Sequence, residues 1–83
     1  MKLLYFAWVR QKIGRGEEDM VLPSGVNNVG ELIAHLRGRG GGYAEVFSDL
    51  KRVRAAVNQE HVGFDAAVRD DVEVAFFPPV TGG

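Results

Sequence analysis

The residues with the greatest chemical reach close the chain, in the segment FFPPVTGG (76–83). Pro78 and Pro79 lock φ and push the residue before each toward extended backbone, so the segment leaves the apolar run ahead of it along a stiff path. The stretch from Pro78 to Gly83 can reach roughly 20 Å. Gly82 and Gly83 carry no side chains, so a narrow cleft in a partner could admit the terminal carboxyl. A carboxylate resists attack and must first be activated, usually as an acyl-adenylate made with ATP. If the cargo is sulfur, the chain has no cysteine to hold it as a persulfide. The terminal acyl carbon would then hold it as a thiocarboxylate, a soft nucleophile at the end of a slender arm.

Other residue types offer less. The run GRGGGY (38–43) misses the dinucleotide fingerprint, because Tyr43 stands where the third glycine is needed, and it reads as the end of a helix. No GK[ST] sequence follows it. The chain therefore has no nucleotide site or bound cofactor of its own, and any ATP is expected to be used by a separate activating enzyme. His35 and His61 are the two histidines, and without cysteine or a close histidine–carboxylate spacing no metal site is expected. Ser24 and Ser48 lack a nucleophile elbow. Asp70 and Asp71 read as turn residues. Lys51, Arg52 and Arg54 read as the solvated face and edge of a strand.

Ten basic residues against eleven acidic ones give a formal charge of −1, without the basic excess expected of a nucleic-acid binder. The run LLYFAWV (3–9) is too short to span a bilayer and lacks a signal-peptide cleavage site. No nucleic acid, no membrane and a cytoplasmic location are the expectations. At 83 residues, 46% hydrophobic and 25% charged, the chain suits one globular domain with a modest core.

The elements that must position the tail follow from periodicity. Lys2 to Val9 reads as a strand, and Gly14 and Gly16 as the loop of a hairpin returning along Glu17 to Leu22, which Pro23-Ser24-Gly25 ends. Asn28 with Glu31 forms a capping-box-like start to a helix whose apolar stripe is Val29, Leu32, Ile33 and Leu36. Gly38 and the glycines after it end that helix through left-handed backbone. Tyr43, Val46, Phe47 and Leu50 repeat the helical spacing. Val53, Ala55 and Val57 alternate as a strand, Asn58-Gln59-Glu60 turns, and Val62 starts a short strand. Val72, Val74 and Phe76 alternate with Glu73, Ala75 and Phe77 as the last strand. This order predicts an α+β fold of four to five strands in a mixed sheet, with one main helix on one face. The body spans 1–77 and an extended tail spans 78–83.

Parity separates the two sheet faces. A glutamate is rarely buried unpaired, so Glu73 sends Ala75 and Phe77 outward with it and leaves Val72, Val74 and Phe76 toward the helix. In the first strand Lys2 and Arg10 bracket an open face carrying Leu4, Phe6 and Trp8. Phe6, Trp8 and Phe77 then form an exposed apolar patch of the kind that marks a partner site. Alternatively, Phe6 and Trp8 pack under a loop.

EVAFFPPVTGG (73–83), LLYFAWVR (3–10) and AAVNQ (55–59) together resemble the small, sulfur-carrying subunits of molybdopterin synthase over nearly the whole chain. The resemblance implies a β-grasp, ubiquitin-like fold with first and last strands parallel at the sheet centre. It implies that an adenylating, E1-like enzyme activates Gly83 and that a sulfur relay converts it to a thiocarboxylate. The tail would then enter the large synthase subunit and donate sulfur to cyclic pyranopterin monophosphate, within a heterotetramer. By position, Gly82 and Gly83 correspond to the transfer tip. Phe6, Arg10, His61, Phe77, Pro78, Pro79, Val80 and Thr81 fall where partner contacts are expected. The family often has an acid-glycine-acid turn where Asp70-Asp71-Val72 stands, and an apolar contact residue where His61 stands. Two alternatives stay open, a protein modifier conjugated through Gly83 and a sulfur carrier for another pathway.

Overall fold

A computed structural model describes residues 1–79; Val80, Thr81, Gly82 and Gly83 lie outside the described residues. Five strands, β1 (Lys2–Tyr5), β2 (Glu17–Asp19), β3 (Arg54–Val57), β4 (Glu60–Val62) and β5 (Glu73–Phe77), form one sheet in the order β2-β1-β5-β3-β4. The first and last strands run parallel side by side, with Leu3 opposite Val74 and Tyr5 opposite Phe76. β3 pairs antiparallel with β5 and β4. Three short helices accompany them, α1 (Ala7–Ile13), α2 (Val29–Arg37) and α3 (Gly41–Val46), with a 3-10 turn at Leu50–Arg52. This is the β-grasp arrangement.

α2 begins where its cap residues predict. The Glu31 backbone N–H donates to Asn28 Oδ1 at 2.8 Å, and Glu31 Oε1 accepts from the Asn27 backbone N–H at 2.8 Å. Val29, Leu32, Ile33 and Leu36 are all buried on the stripe that faces the sheet. On the sheet side Leu3, Tyr5, Val74 and Phe76 meet them, and Phe47 closes the core from the segment after α3. Phe76 stacks against Tyr5 at 6.3 Å and meets Phe47 edge-on at 5.1 Å, a geometry that adds to the area the rings bury.

Two expectations are corrected. β1 ends at Tyr5, and Ala7 to Ile13 is helix rather than strand and hairpin loop. Ala7 takes φ 53°, a left-handed turn that stops the strand. Val9 is then buried from the helix, and Gly14 at φ 92° caps its end. Trp8, Val9 and Ile13 followed by glycine carry that helix pattern in the sequence. The second correction concerns Gly38, which is right-handed at φ −64°. The left-handed positions fall at Gly40 (φ 76°) and Gly41 (φ 54°), where the chain passes from α2 into α3. The glycine run therefore both ends one helix and opens the next.

The run has two structural duties. At Gly42 a Cβ would stand 1.9 Å from the carbonyl oxygen of Lys12, so only glycine lets α3 lie against the end of α1. The flanking Arg39 and Tyr43 close on Glu18, whose side chain is only 7% exposed. Tyr5 Oη donates to Glu18 Oε2 at 2.9 Å, Tyr43 Oη donates to the same oxygen, and Arg39 Nη1 donates to Oε1 at 2.7 Å. Burial pushes the Glu18 carboxyl up, but the hydrogen bonds from Tyr43, Arg39 and Tyr5 outweigh it and hold the carboxyl below its ordinary range. Burial and the adjoining carboxylate push the Tyr5 phenol well above its usual value.

Gly42→Ala should cost about 1–3 kcal/mol of stability through overpacking, read as a lower denaturation midpoint. An unchanged midpoint would mean that α1 and α3 do not approach as closely as described. Glu18 contributes stability above its unfolded pKa and loses it as pH falls through its depressed folded pKa. Glu18→Gln should therefore be less stable at neutral pH by about 1–3 kcal/mol. The gap to the unmodified chain should narrow as pH falls below the ordinary carboxylate range, in unfolding curves taken across that window.

Candidate functional site

The face of the sheet away from α2 carries the candidate site. Alternation places Leu4 and Phe6, Ala75 and Phe77, and Ala56 on that face, and the registers Leu4↔Ala75 and Ala56↔Ala75 bring them together. Across β4, His61 pairs with Ala56. The hairpin between β3 and β4 turns through Asn58 and Gln59, both left-handed at φ 49° and 69°. Asn58 also anchors β5, since its Oδ1 accepts from the Glu73 backbone N–H at 2.9 Å. The outcome is an open apolar depression of about 460 Å³ lined by Leu4, Phe6, Ala56, Gln59, His61, Glu73, Ala75 and Phe77.

Phe6 is the exposed large apolar side chain among these, at 48%. Its backbone N–H donates to Phe76 at 3.1 Å, which extends the β1–β5 pairing and sets Phe6 beside Phe77. Ala7 then turns the chain away at a cost of about 1 kcal/mol for its left-handed backbone. That turn keeps Phe6 on the open side while sending Val9 into the core. Phe77 is half-buried, and its ring lies 4.9 Å from that of His61 at 48°.

Phe6, His61 and Phe77 therefore come together in one depression. Arg10 is at its margin, in a neighbouring hollow shared with Leu4, Phe6 and Gly16. Its guanidinium lies over Gly16, where a Cβ would come within 3.2 Å. Pro78 and Pro79 follow β5 and are partly buried. Val80, Thr81, Gly82 and Gly83 lie outside the described residues. Trp8 departs from the expected patch: it packs against the core from α1, with the Arg52 guanidinium 4.7 Å from the ring centroid. Phe6 follows the exposed-patch reading and Trp8 the packed one. His35 is exposed on α2, and Ser48 Oγ donates to the Glu45 carbonyl at 2.8 Å, a local turn contact. Sequence reasoning set Leu4 on this face and missed Ala56 and Gln59 as lining residues; the pairing of β3 with β5, which periodicity alone does not set, brings them to the site.

The ThiS family profile matches residues 3–83. The chain belongs to the ThiS family. The molybdopterin synthase sulfur carrier subunit of Escherichia coli (strain K12) is 40% identical over 83 residues, covering 100% of this chain and 99% of that protein. The protein of the same name from Haemophilus influenzae is 33% identical over 87 residues, covering 100% of this chain and 99% of its own length. Among solved structures, a Pyrococcus furiosus chain provisionally assigned as subunit 1 of a molybdopterin converting factor superposes with a TM-score of 0.74 at 35% identity, over 95% of each chain. SAMP1 from Haloferax volcanii, at a TM-score of 0.71 and 23% identity over 100% of this chain and 98% of its own, shares the fold. No helix among the described residues is long and apolar enough to cross a membrane.

The two adjacent phenylalanines separate folding from the site. Phe76→Ala should cost about 3–5 kcal/mol, because the ring is wholly buried. Phe6→Ala should change stability by only about 0.5 kcal/mol, as expected for a surface position. Denaturant unfolding of both variants checks this; equal losses would contradict the exposure of Phe6.

Proposed function

We propose that this chain is the sulfur carrier subunit of a molybdopterin synthase and that its working atom is the carbonyl carbon of Gly83. One observation carries the reading. The tail leaves from the central strand at the rim of an apolar face, in a chain whose full-length relatives bear that name.

In this reading the Gly83 carboxylate attacks the α-phosphorus of ATP within a separate adenylating enzyme, and pyrophosphate leaves. Sulfide-level sulfur from a relay then displaces AMP, giving the thiocarboxylate. The apolar depression, with Phe6, Phe77 and His61, docks on the large subunit while Pro78 and Pro79 direct Val80, Thr81, Gly82 and Gly83 into its cavity. There the sulfur is transferred to cyclic pyranopterin monophosphate, and water releases the acyl group as the carboxylate. This chain contributes the docking surface, the spacer and the acyl carbon. The large subunit contributes the catalytic side chains, and the synthase is a heterotetramer working in the cytoplasm. Leaving Phe6 and Phe77 on an open face costs the fold the burial they would otherwise gain, which a docking role explains.

The test is intact mass after incubation with the activating enzyme, ATP and a sulfur donor. The chain should gain the mass difference between sulfur and oxygen at its terminus, and a version extended by one residue beyond Gly83 should gain nothing. An unchanged mass while a control carrier responds would remove the reading. Linkage of Gly83 to lysines of other proteins under the same conditions would instead favour a protein modifier.

A further inference from the structure

Phe77 is the last residue that β5 pairs into the sheet, opposite Arg54 of β3. Pro78 and Pro79 have no backbone N–H to donate, so the ladder cannot continue along the tail. The direction in which the tail leaves must then be set by side chains around its root. Two elements flank that point. On one side α1 follows β1 at once, because the Phe6 backbone N–H donates to the Phe76 carbonyl at 3.1 Å before Ala7 turns the chain. On the other side β3 is preceded by the 3-10 turn Leu50–Arg52, which Asp49 caps by accepting from the Lys51 backbone N–H at 3.1 Å. β1 and β3 are both neighbours of β5, so they stand two strand spacings apart, roughly 10 Å. Trp8 from α1 and Arg52 from the turn nevertheless meet, with the guanidinium 4.7 Å from the ring centroid. Their contact bridges the end of β5. Trp8 packs against the core, so the bridge lies on the helix side, while Phe77 lines the opposite face. Pro78 and Pro79, which leave at this point, are partly buried.

We propose that Trp8 and Arg52 form a strap that closes the helix side of the tail's exit and so fixes the direction of Pro78. The inference rests on the sulfur-carrier reading above and deepens it by naming the residues that aim the acyl carbon. Both are positioning residues, which act through the root of the tail and do not touch the substrate. The ring quadrupole attracts the cation, and a planar guanidinium can stack on the indole face. Precision at the root matters because the tail is a lever. Over a reach of roughly 20 Å, a swing of about 10° at Pro78 displaces the tip by roughly 3.5 Å. Misplacing a reacting atom by about 1 Å can cost roughly a hundredfold in rate. A surface contact that adds little to stability can therefore govern transfer strongly.

Sulfur transfer from the thiocarboxylated chain to cyclic pyranopterin monophosphate on the large synthase subunit of the same organism, measured against carrier concentration, tests the strap. Arg52→Ala should lower the rate at saturating carrier about tenfold and leave the half-saturating concentration within about twofold, since the docking face is untouched. Arg52→Lys keeps a cation over the ring and should recover most of the rate. Trp8→Phe should retain most of it, whereas Trp8→Leu, which fills the space without an aromatic face, should lose as much as Arg52→Ala. Trp8 is the one tryptophan of the chain, so fluorescence of the free carrier reports the stack directly. Its emission should move to longer wavelength in Arg52→Ala. Unfolding midpoints identify a Trp8 variant that fails to fold, and the two Arg52 variants then decide alone. An unchanged rate or unmoved emission in Arg52→Ala, or a raised half-saturating concentration with the saturated rate intact, would overturn the strap and leave the carrier reading standing. No transfer from the unaltered thiocarboxylated chain would remove the carrier reading and the strap with it.

Discussion

Pairing of β5 with β1 on one side and β3 on the other is the constraint on which the remaining features depend. All of its residues are bonded into the sheet, and Asn58 ties its entrance at two backbone positions, donating to the Glu73 carbonyl at 2.8 Å as well as accepting from its N–H. A strand held on both edges cannot slip, and a slip by one residue would exchange Phe76 with Phe77. The aromatic cluster of Phe76, Tyr5 and Phe47 resists that exchange from below, because Phe76 is wholly enclosed. The same pairing places Phe77 on the open face and sets the direction in which Pro78 departs. Core packing and the exit of Pro78 are two consequences of one register.

That register was readable from residue types because Glu73 breaks the symmetry of an otherwise apolar strand. Without a charge at one position, parity in VEVAFF would be ambiguous. The same reasoning served α2, where Asn28 and Glu31 mark the start and the apolar stripe marks the buried side. It failed at Ala7 to Ile13, because the aromatic and aliphatic content of LLYFAWV outweighs the helical spacing inside it. What decides there is Ala7, an ordinary residue in a left-handed conformation that no local preference announces. The glycine run was misjudged for a related reason. Gly42 is required by the backbone of Lys12, a neighbour in space that lies far away in sequence.

Positioning of the site was only partly written in local sequence. Phe6, His61 and Phe77 could be nominated singly, by parity and by likeness to a family. Their meeting in one depression requires β1, β5, β3 and β4 to be adjacent in that order, a property of topology. Trp8 illustrates the limit: as a strand residue it would join Phe6, whereas the turn at Ala7 moves it to α1 beneath Arg52.

The two faces of the sheet also differ in how they treat charge. On the helix side Glu18 is enclosed and receives hydrogen bonds from three side chains, so any change there is felt as stability. On the open side Arg10, Arg54 and His61 are exposed and form no ion pair among the described residues. Substitutions separated in this way, without shared partners, act nearly independently. Substitutions at Arg54 or His61 can therefore leave the core unchanged. Moving Phe77, by contrast, means moving β5. The open face is therefore cheap to change at its margins and expensive at its centre.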